Sequence, residues 1–138
     1  MFPVWKKDDR LEPKDWVYAL RSGKASRAFP LSLLFAERVV NDIVGGVPVV
    51  LAADPETLSV RAYVRGARVF AEGPTGRLAE PATGLLWRIE EDSLVPEGSG
   101  ATALPRFPGH RAYWFGWFAF FPETSLYEGC AAALPAGR

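Results

Sequence analysis

The stretch Val39-Val40-Asn41-Asp42-Ile43-Val44-Gly45-Gly46-Val47-Pro48-Val49-Val50-Leu51-Ala52-Ala53-Asp54-Pro55 reads as a β-hairpin that runs on into a second turn. Two β-branched runs flank Gly45-Gly46, a pair able to take positive φ in a tight hairpin loop. Pro48 has no backbone donor, so it belongs at the start or on an edge of its strand. Asp54-Pro55-Glu56-Thr57 forms the next turn: Pro55 presets φ, and the Asp54 side chain suits hydrogen bonding to amides beyond it.

Outward from this hairpin the β signal continues. Residues 58–64 alternate, with Val60, Ala62 and Val64 on one face and Ser59, Arg61 and Tyr63 on the other. Arg65-Gly66-Ala67 turns the chain back, and residues 68–72 are expected to pair as the next strand in a meander of at least four. Turn clusters at residues 73–76 and 80–84 bracket a very short segment, after which residues 85–89 read as a strand. On the amino-terminal side, residues 16–20 and 24–29 flank Ser22-Gly23 as a further strand pair. Residues 30–36 fit neither strict alternation nor a complete helical stripe, and their conformation stays open.

The serine, proline and glycine content of residues 93–109 predicts a surface loop. Residues 111–121 form the one expected helix, with Trp114, Trp117, Phe118 and Phe121 at helical spacing. Tyr113, Phe115, Gly116 and Phe120 occupy its other sides. A helix apolar nearly all round is buried on more than one side or meets a partner, so Tyr113, Phe115 and Phe120 are the candidate interaction surface. The expected fold is α+β, mostly an antiparallel β meander or sheet packed by one carboxyl-terminal aromatic α-helix. Residues 1–14 are read as an irregular arm, 15–128 as a single domain and 129–138 as a flexible tail.

Composition narrows the function. A chain of 138 residues suits one core, with a radius of gyration of roughly 14 Å. Sixteen basic and sixteen acidic side chains give a formal charge of zero, which argues against nucleic-acid binding and against a polybasic membrane anchor. The same neutrality, with five Trp, nine Phe and four Tyr, favours self-association, and a homodimer is expected. One cysteine and one histidine exclude an intrachain disulfide, a cysteine-based zinc cluster and a multi-histidine metal site in one subunit. No metal or other cofactor is expected. No window approaches the ~18 apolar residues of a membrane span, and no signal-like run opens the chain, so the expected location is cytoplasmic. The bias to Ala, Arg, Gly and Pro suits a thermophile.

Three blocks carry a resemblance: Val40-Asn41-Asp42 through Pro55, Thr83-Gly84-Leu85-Leu86-Trp87, and the Trp114/Trp117 segment closed by Pro122-Glu123-Thr124. In this order and spacing, over about residues 28–127, the chain resembles the bacterial family called domain of unknown function 3179. Relatives read Val-Asn-Asp, then Gly-Gly-x-Pro-Val, then a strand ending in Cys-Pro-Leu-Cys-Gly or Cys-Pro-Leu-Thr-Gly. They also carry Gln-Thr-Gly-Ser-Leu-Trp and a helix with Trp spaced three from Trp, and many are exported. The resemblance implies a thiol or metal site at the family's first cysteine, where this chain has Asp54. Its strand before Thr83 is also shorter than in relatives.

Asp54 cannot do thiol chemistry. With Glu56 and Thr57 it can present oxygens to a cation or polar ligand, the alternative being a turn residue bonded to its own backbone. Asp42, just ahead of the glycine turn, is a candidate general base or a cap for turn amides. His110 is a candidate acid or base if a carboxylate lies near, and otherwise an exposed residue where the helix begins. No serine has a nucleophile elbow around it. Cys130 reads as a bystander thiol. Arg61, Tyr63, Arg65, Arg68 and Phe70 suggest a base-stacking face, but neutrality favours a solvated strand face, and Glu90-Glu91-Asp92 a solvated run. The leading expectation is a non-catalytic domain acting by self-association or by binding a protein or small ligand. The alternative is a ligand- or cation-binding protein or enzyme with its site around Asp54-Pro55-Glu56-Thr57.

Overall fold

The structure, a computed structural model, describes residues 15–98 and 100–129. The expected arm over residues 1–14, Cys130 and the tail beyond it lie outside the described residues. In chain order the elements are β1 (Trp16–Ser22), β2 (Ala25–Pro30), α1 (Leu31–Glu37), β3 (Val39–Val44), β4 (Val47–Asp54), β5 (Ser59–Val64) and β6 (Ala71–Glu72). They continue with β7 (Arg77–Glu80), β8 (Leu85–Ile89), β9 (Ser93–Glu97), β10 (Leu104–Phe107), β11 (Gly109–Tyr113), α2 (Trp114–Phe120) and β12 (Ser125–Leu126).

A four-stranded sheet has the order β11-β1-β2-β12, and an eight-stranded sheet the order β3-β4-β5-β10-β9-β8-β7-β6. The architecture is α+β, mostly antiparallel, with an aromatic helix near the carboxyl end. The central hairpin forms as its glycines require: Val44 pairs with Val47, and Gly45 and Gly46 take φ of 57° and 82°. Gly45 also abuts the β1–β2 turn, where an added Cβ would lie 2.9 Å from Ser22.

Period-two alternation along β4 and β5 serves two cores at once. Val49, Leu51, Val60 and Ala62 face the four-stranded sheet and α1, joining Tyr18, Leu20, Phe29, Leu31 and Leu34. Val50, Ala52 and Tyr63 face the other way, into the concave side of the eight-stranded sheet, and meet Phe70, Leu78, Trp87 and Leu94. The far side of the four-stranded sheet is covered by Trp114, Trp117 and Phe118 of α2, which pack on Val17, Ala19 and Ala28. Burial on both faces explains why β1 is apolar without alternation.

Several expectations are corrected. Residues 93–109 are not a loop: β9 and β10 lie there, and β10 takes the place beside β5 that residues 68–72 were expected to fill. Only Ala71–Glu72 forms a strand in that segment, and it pairs with β7. The Arg65 guanidinium donates to the carbonyls of Val49, Arg68 and Asp42, which holds the chain across one end of the curled sheet. Phe70 is thereby buried under Trp87 in an edge-on contact at 5.5 Å.

The Arg61-to-Phe70 set is accordingly no solvated face. Tyr63 is buried and donates to the Glu90 carbonyl, and Arg68 pairs with the buried Glu80. Residues 111–113 are strand, because the open edge of β1 offers them hydrogen bonds, with Tyr18 opposite Arg111 and Trp16 opposite Tyr113. The helix starts at Trp114, where that partner strand ends. Of residues 30–36, Pro30 ends β2 and the rest form α1, which closes at Arg38 with φ 69°.

Candidate functional site

The eight-stranded sheet curls until its edge strands meet. The Asn41 side chain both donates to and accepts from the backbone of Phe70, and Arg38 pairs with Glu72 across the same seam. One end of the resulting bowl is plugged by Phe70, Arg68 and Glu80. The other end is an open cleft of about 450 Å³. Its floor is apolar, made by Val39, Ala52, Leu78 and Ile89, and its rim carries two turns, residues 54–57 and 73–76.

Asp54 belongs to this cleft because of strand alternation. It follows Val50 and Ala52 on the inward face of β4 and pairs with Ser59. Its Oδ1 accepts the Glu56 amide at 2.9 Å, the turn bond its sequence context implies, and the Thr57 and Ser59 hydroxyls lie 2.8 Å apart. The turn closes through Leu58 at φ 57°, and the Arg111 guanidinium donates to the Leu58 carbonyl. Asp54, Glu56 and Thr57 thus stand together on one wall of the cleft.

Charges around the rim are mixed. Arg38, Arg61 and Arg77 line the cleft with Asp54, Glu56 and Glu72. Each arginine has a carboxylate partner: Glu72 at 3.0 Å, Glu91 at 3.0 Å and Glu97 at 2.6 Å respectively. Hydrogen bonds from Arg61 and Arg106 hold the Glu91 carboxyl below the usual carboxylate range, while Glu90, Glu91 and Asp92 are all exposed, as a solvated run requires. Asp54 and Glu56 have no ion-pair partner among the described residues. Deeper in the bowl, burial pushes the Tyr63 phenol up to about 12, against the opposing pull of Arg106 and Arg61.

Asp42 is elsewhere. It pairs with Val49 on the opposite face of the same hairpin, where its carboxylate binds Arg27 of β2 at 2.7 Å and caps the Ile43 amide at 2.8 Å. Its five-residue offset from Asp54 along the strand pairing corresponds to roughly 16 Å. His110 sits on β11 opposite Ala19, in the other sheet, with its ring 5.3 Å from that of Trp117. It is a strand residue and does not begin the helix. Asp42, Asp54 and His110 therefore do not converge. Among the described residues no three His, Cys, Asp or Glu side chains gather into a metal site, and no helix is long and apolar enough to cross a membrane.

On the four-stranded sheet Tyr113 lies against Trp16, ring centroids 4.2 Å apart, with both rings about half exposed. Phe115 is 45% and Phe120 82% exposed. Sequence reasoning missed Arg38, Arg77 and Glu72 as site residues, because only the strand order brings them to the Asp54 turn. Arg61 had a signal, its place opposite Val60 and Ala62 in the alternation.

The blocks that single out this sequence hold the bowl together. Asn41 closes the seam. The Glu80 carboxylate, 4% exposed, accepts from Arg68, from Thr83 Oγ1 at 3.0 Å and from Trp87 Nε1 at 3.2 Å. A family model described as protein of unknown function (DUF3179) matches residues 1–124, further toward the amino end than the three blocks reach. Searches of curated proteins and of solved structures returned no match.

Proposed function

The chain belongs to the DUF3179 family, whose description assigns no activity, and from the geometry of its site we propose a non-catalytic domain that binds a small molecule in the cleft beside Asp54. The observation that carries this reading is the placement of Asp54, inward on β4 at the mouth of a cleft of about 450 Å³. Mouths of curled sheets with an apolar floor and a few polar groups are common ligand sites. The position the family fills with cysteine thus keeps a polar group at the cleft, with a carboxylate in place of the thiol. Support for the non-catalytic part comes from the separation of Asp42 and His110 from Asp54, which leaves the carboxylate without the acid–base partners proposed for it.

A screen of small molecules against the isotopically labelled chain by NMR tests this. Binders are expected to shift the amides of residues 52–61 and 72–78 and to leave α2, on the far side of the four-stranded sheet, unmoved. Binders that map only to other surfaces, or none at all, overturn the reading.

A second reading, homodimerisation, rests on the exposed aromatic side chains of Trp16, Tyr113, Phe115 and Phe120 and on β11, an edge strand among the described pairings. Zero formal charge leaves no net repulsion between copies. Sedimentation is expected to show a dimer that Phe120→Lys with Tyr113→Lys dissociates, and a monomer throughout the working concentration range sinks this reading.

A further inference from the structure

From the cleft's apolar floor and the balance of charge at its mouth we infer that its ligand is an organic cation, a small amine with an apolar body. This inference rests on the cleft being a ligand site and names the chemistry that site selects. The guanidinia nearby are neutralised by carboxylates. Arg38 pairs with Glu72 across the seam, and Arg61, on the same wall as Asp54, reaches Glu91 at 3.0 Å. Arg77 turns away: Leu78 points into the bowl from β7, so Arg77 beside it points to the outer face, where Glu97 meets it at 2.6 Å. Even with Arg106, which shares Glu91, three guanidinia stand against the four carboxylates Asp54, Glu56, Glu72 and Glu91. The excess negative charge falls on Asp54 and Glu56, which lack an ion-pair partner among the described residues.

Asp54 is the half-buried member of the pair and Glu56 the exposed one. Asp54 follows Ala52 on the inward face of β4, and its Oδ1 accepts the Glu56 amide at 2.9 Å. Its Oδ2 and the Glu56 carboxylate remain to accept from an ammonium. Beside them Ala52, Leu78 and Ile89 make the apolar floor. A bare metal ion would leave that floor uncovered, and among the described residues no three His, Cys, Asp or Glu side chains gather to hold one. An anion would meet Asp54 and Glu56 with no unpaired guanidinium to offset them. An amine whose alkyl or aryl body lies on the floor, with its ammonium at the mouth, matches both parts of the cleft.

The test titrates the full chain by NMR with phenylpropylamine, phenylpropanol and phenylpropanoate, which give one apolar body a positive, a neutral and a negative head. The amine is expected to shift the amides of residues 52–61 and 72–78. The alcohol should bind about threefold more weakly, the scale of a partly exposed ion pair, and the carboxylate more weakly still. Asp54→Asn keeps an oxygen to accept the Glu56 amide, so it preserves the turn. It is expected to weaken the amine towards the alcohol and to leave the alcohol unchanged. Equal binding of all three, tighter binding of the carboxylate, amine binding that Asp54→Asn does not weaken, or cleft shifts only from other small molecules overturns the organic cation while the cleft remains a ligand site. A cleft that no small molecule perturbs overturns both.

Discussion

Asn41 and Phe70, 29 residues apart, are joined by two hydrogen bonds, Asn41 Nδ2 to the Phe70 carbonyl at 2.8 Å and the Phe70 amide to Asn41 Oδ1 at 3.0 Å. A side-chain amide here substitutes for a backbone strand pair and closes the seam between β3 and the segment leading to β6. Asn41→Ala leaves a part-buried donor and acceptor on Phe70 without partners, an expected cost of about 2 kcal/mol. Asn41→Asp keeps the acceptor but sets a carboxylate against the Phe70 carbonyl and is expected to cost at least as much. Urea unfolding of both variants checks this, and wild-type midpoints would show that the seam contributes nothing.

Tyr63 makes the protein sensitive to alkali. Its phenol titrates at about 12 when folded and near 10 when unfolded. Below the unfolded value both states are protonated and the stabilisation is complete. As pH rises from 10 towards 12 only the unfolded chain loses the proton, so about 2–3 kcal/mol of stability is lost across that window. Tyr63→Phe is expected to cost about 1 kcal/mol at pH 8, through the lost bond to the Glu90 carbonyl, and to flatten the alkaline limb. Parallel limbs for wild type and variant in unfolding curves between pH 9 and 12 would contradict this role for Tyr63.

Two glycines are expected to respond in opposite directions to alanine. A Cβ on Gly109 would lie 2.6 Å from both Leu20 Cδ2 and Tyr18 Cε2, two buried side chains with little room to move. Gly109→Ala should lose about 1–3 kcal/mol through overpacking. Gly116 lies inside α2 with nothing within 4 Å of an added Cβ, and Gly116→Ala should gain about 0.5–1 kcal/mol from helix propensity. Thermal unfolding of the pair measures the contrast directly.

The Asp54 turn yields a third comparison. Asp54→Ala removes the acceptor for the Glu56 amide and is expected to cost about 1 kcal/mol, like the loss of a helix cap, with Asp54→Asn near neutral. Leu58 holds φ at 57° while 56% exposed, so Leu58→Gly should raise stability by about 0.5–1 kcal/mol by relieving the left-handed conformation. A gain from Asp54→Ala would instead mark the carboxylate as strained for binding.

The sequence by itself determined the local elements whose signals are local. Gly45-Gly46 between β-branched runs encodes the central hairpin, Asp54-Pro55 encodes its turn, and the tryptophan spacing after Tyr113 encodes a helix. It also carried the family membership. Tertiary structure decided which strands are neighbours. Pairing of β10 with β5 spans some forty residues and leaves no local periodicity. An open strand edge on β1 turned residues 111–113 from helix to strand, since unpaired backbone groups there would otherwise go unsatisfied. The same holds for the candidate site. Asp54, Glu56 and Thr57 were legible because one turn carries them, and their separation from Asp42 follows from the period of two along a strand once the buried faces are known. Arg38, Arg77 and Glu72 join them only because the eight-stranded sheet curls far enough for β6 to meet β3, a closure that depends on side chains distant in sequence and packed in a shared interior.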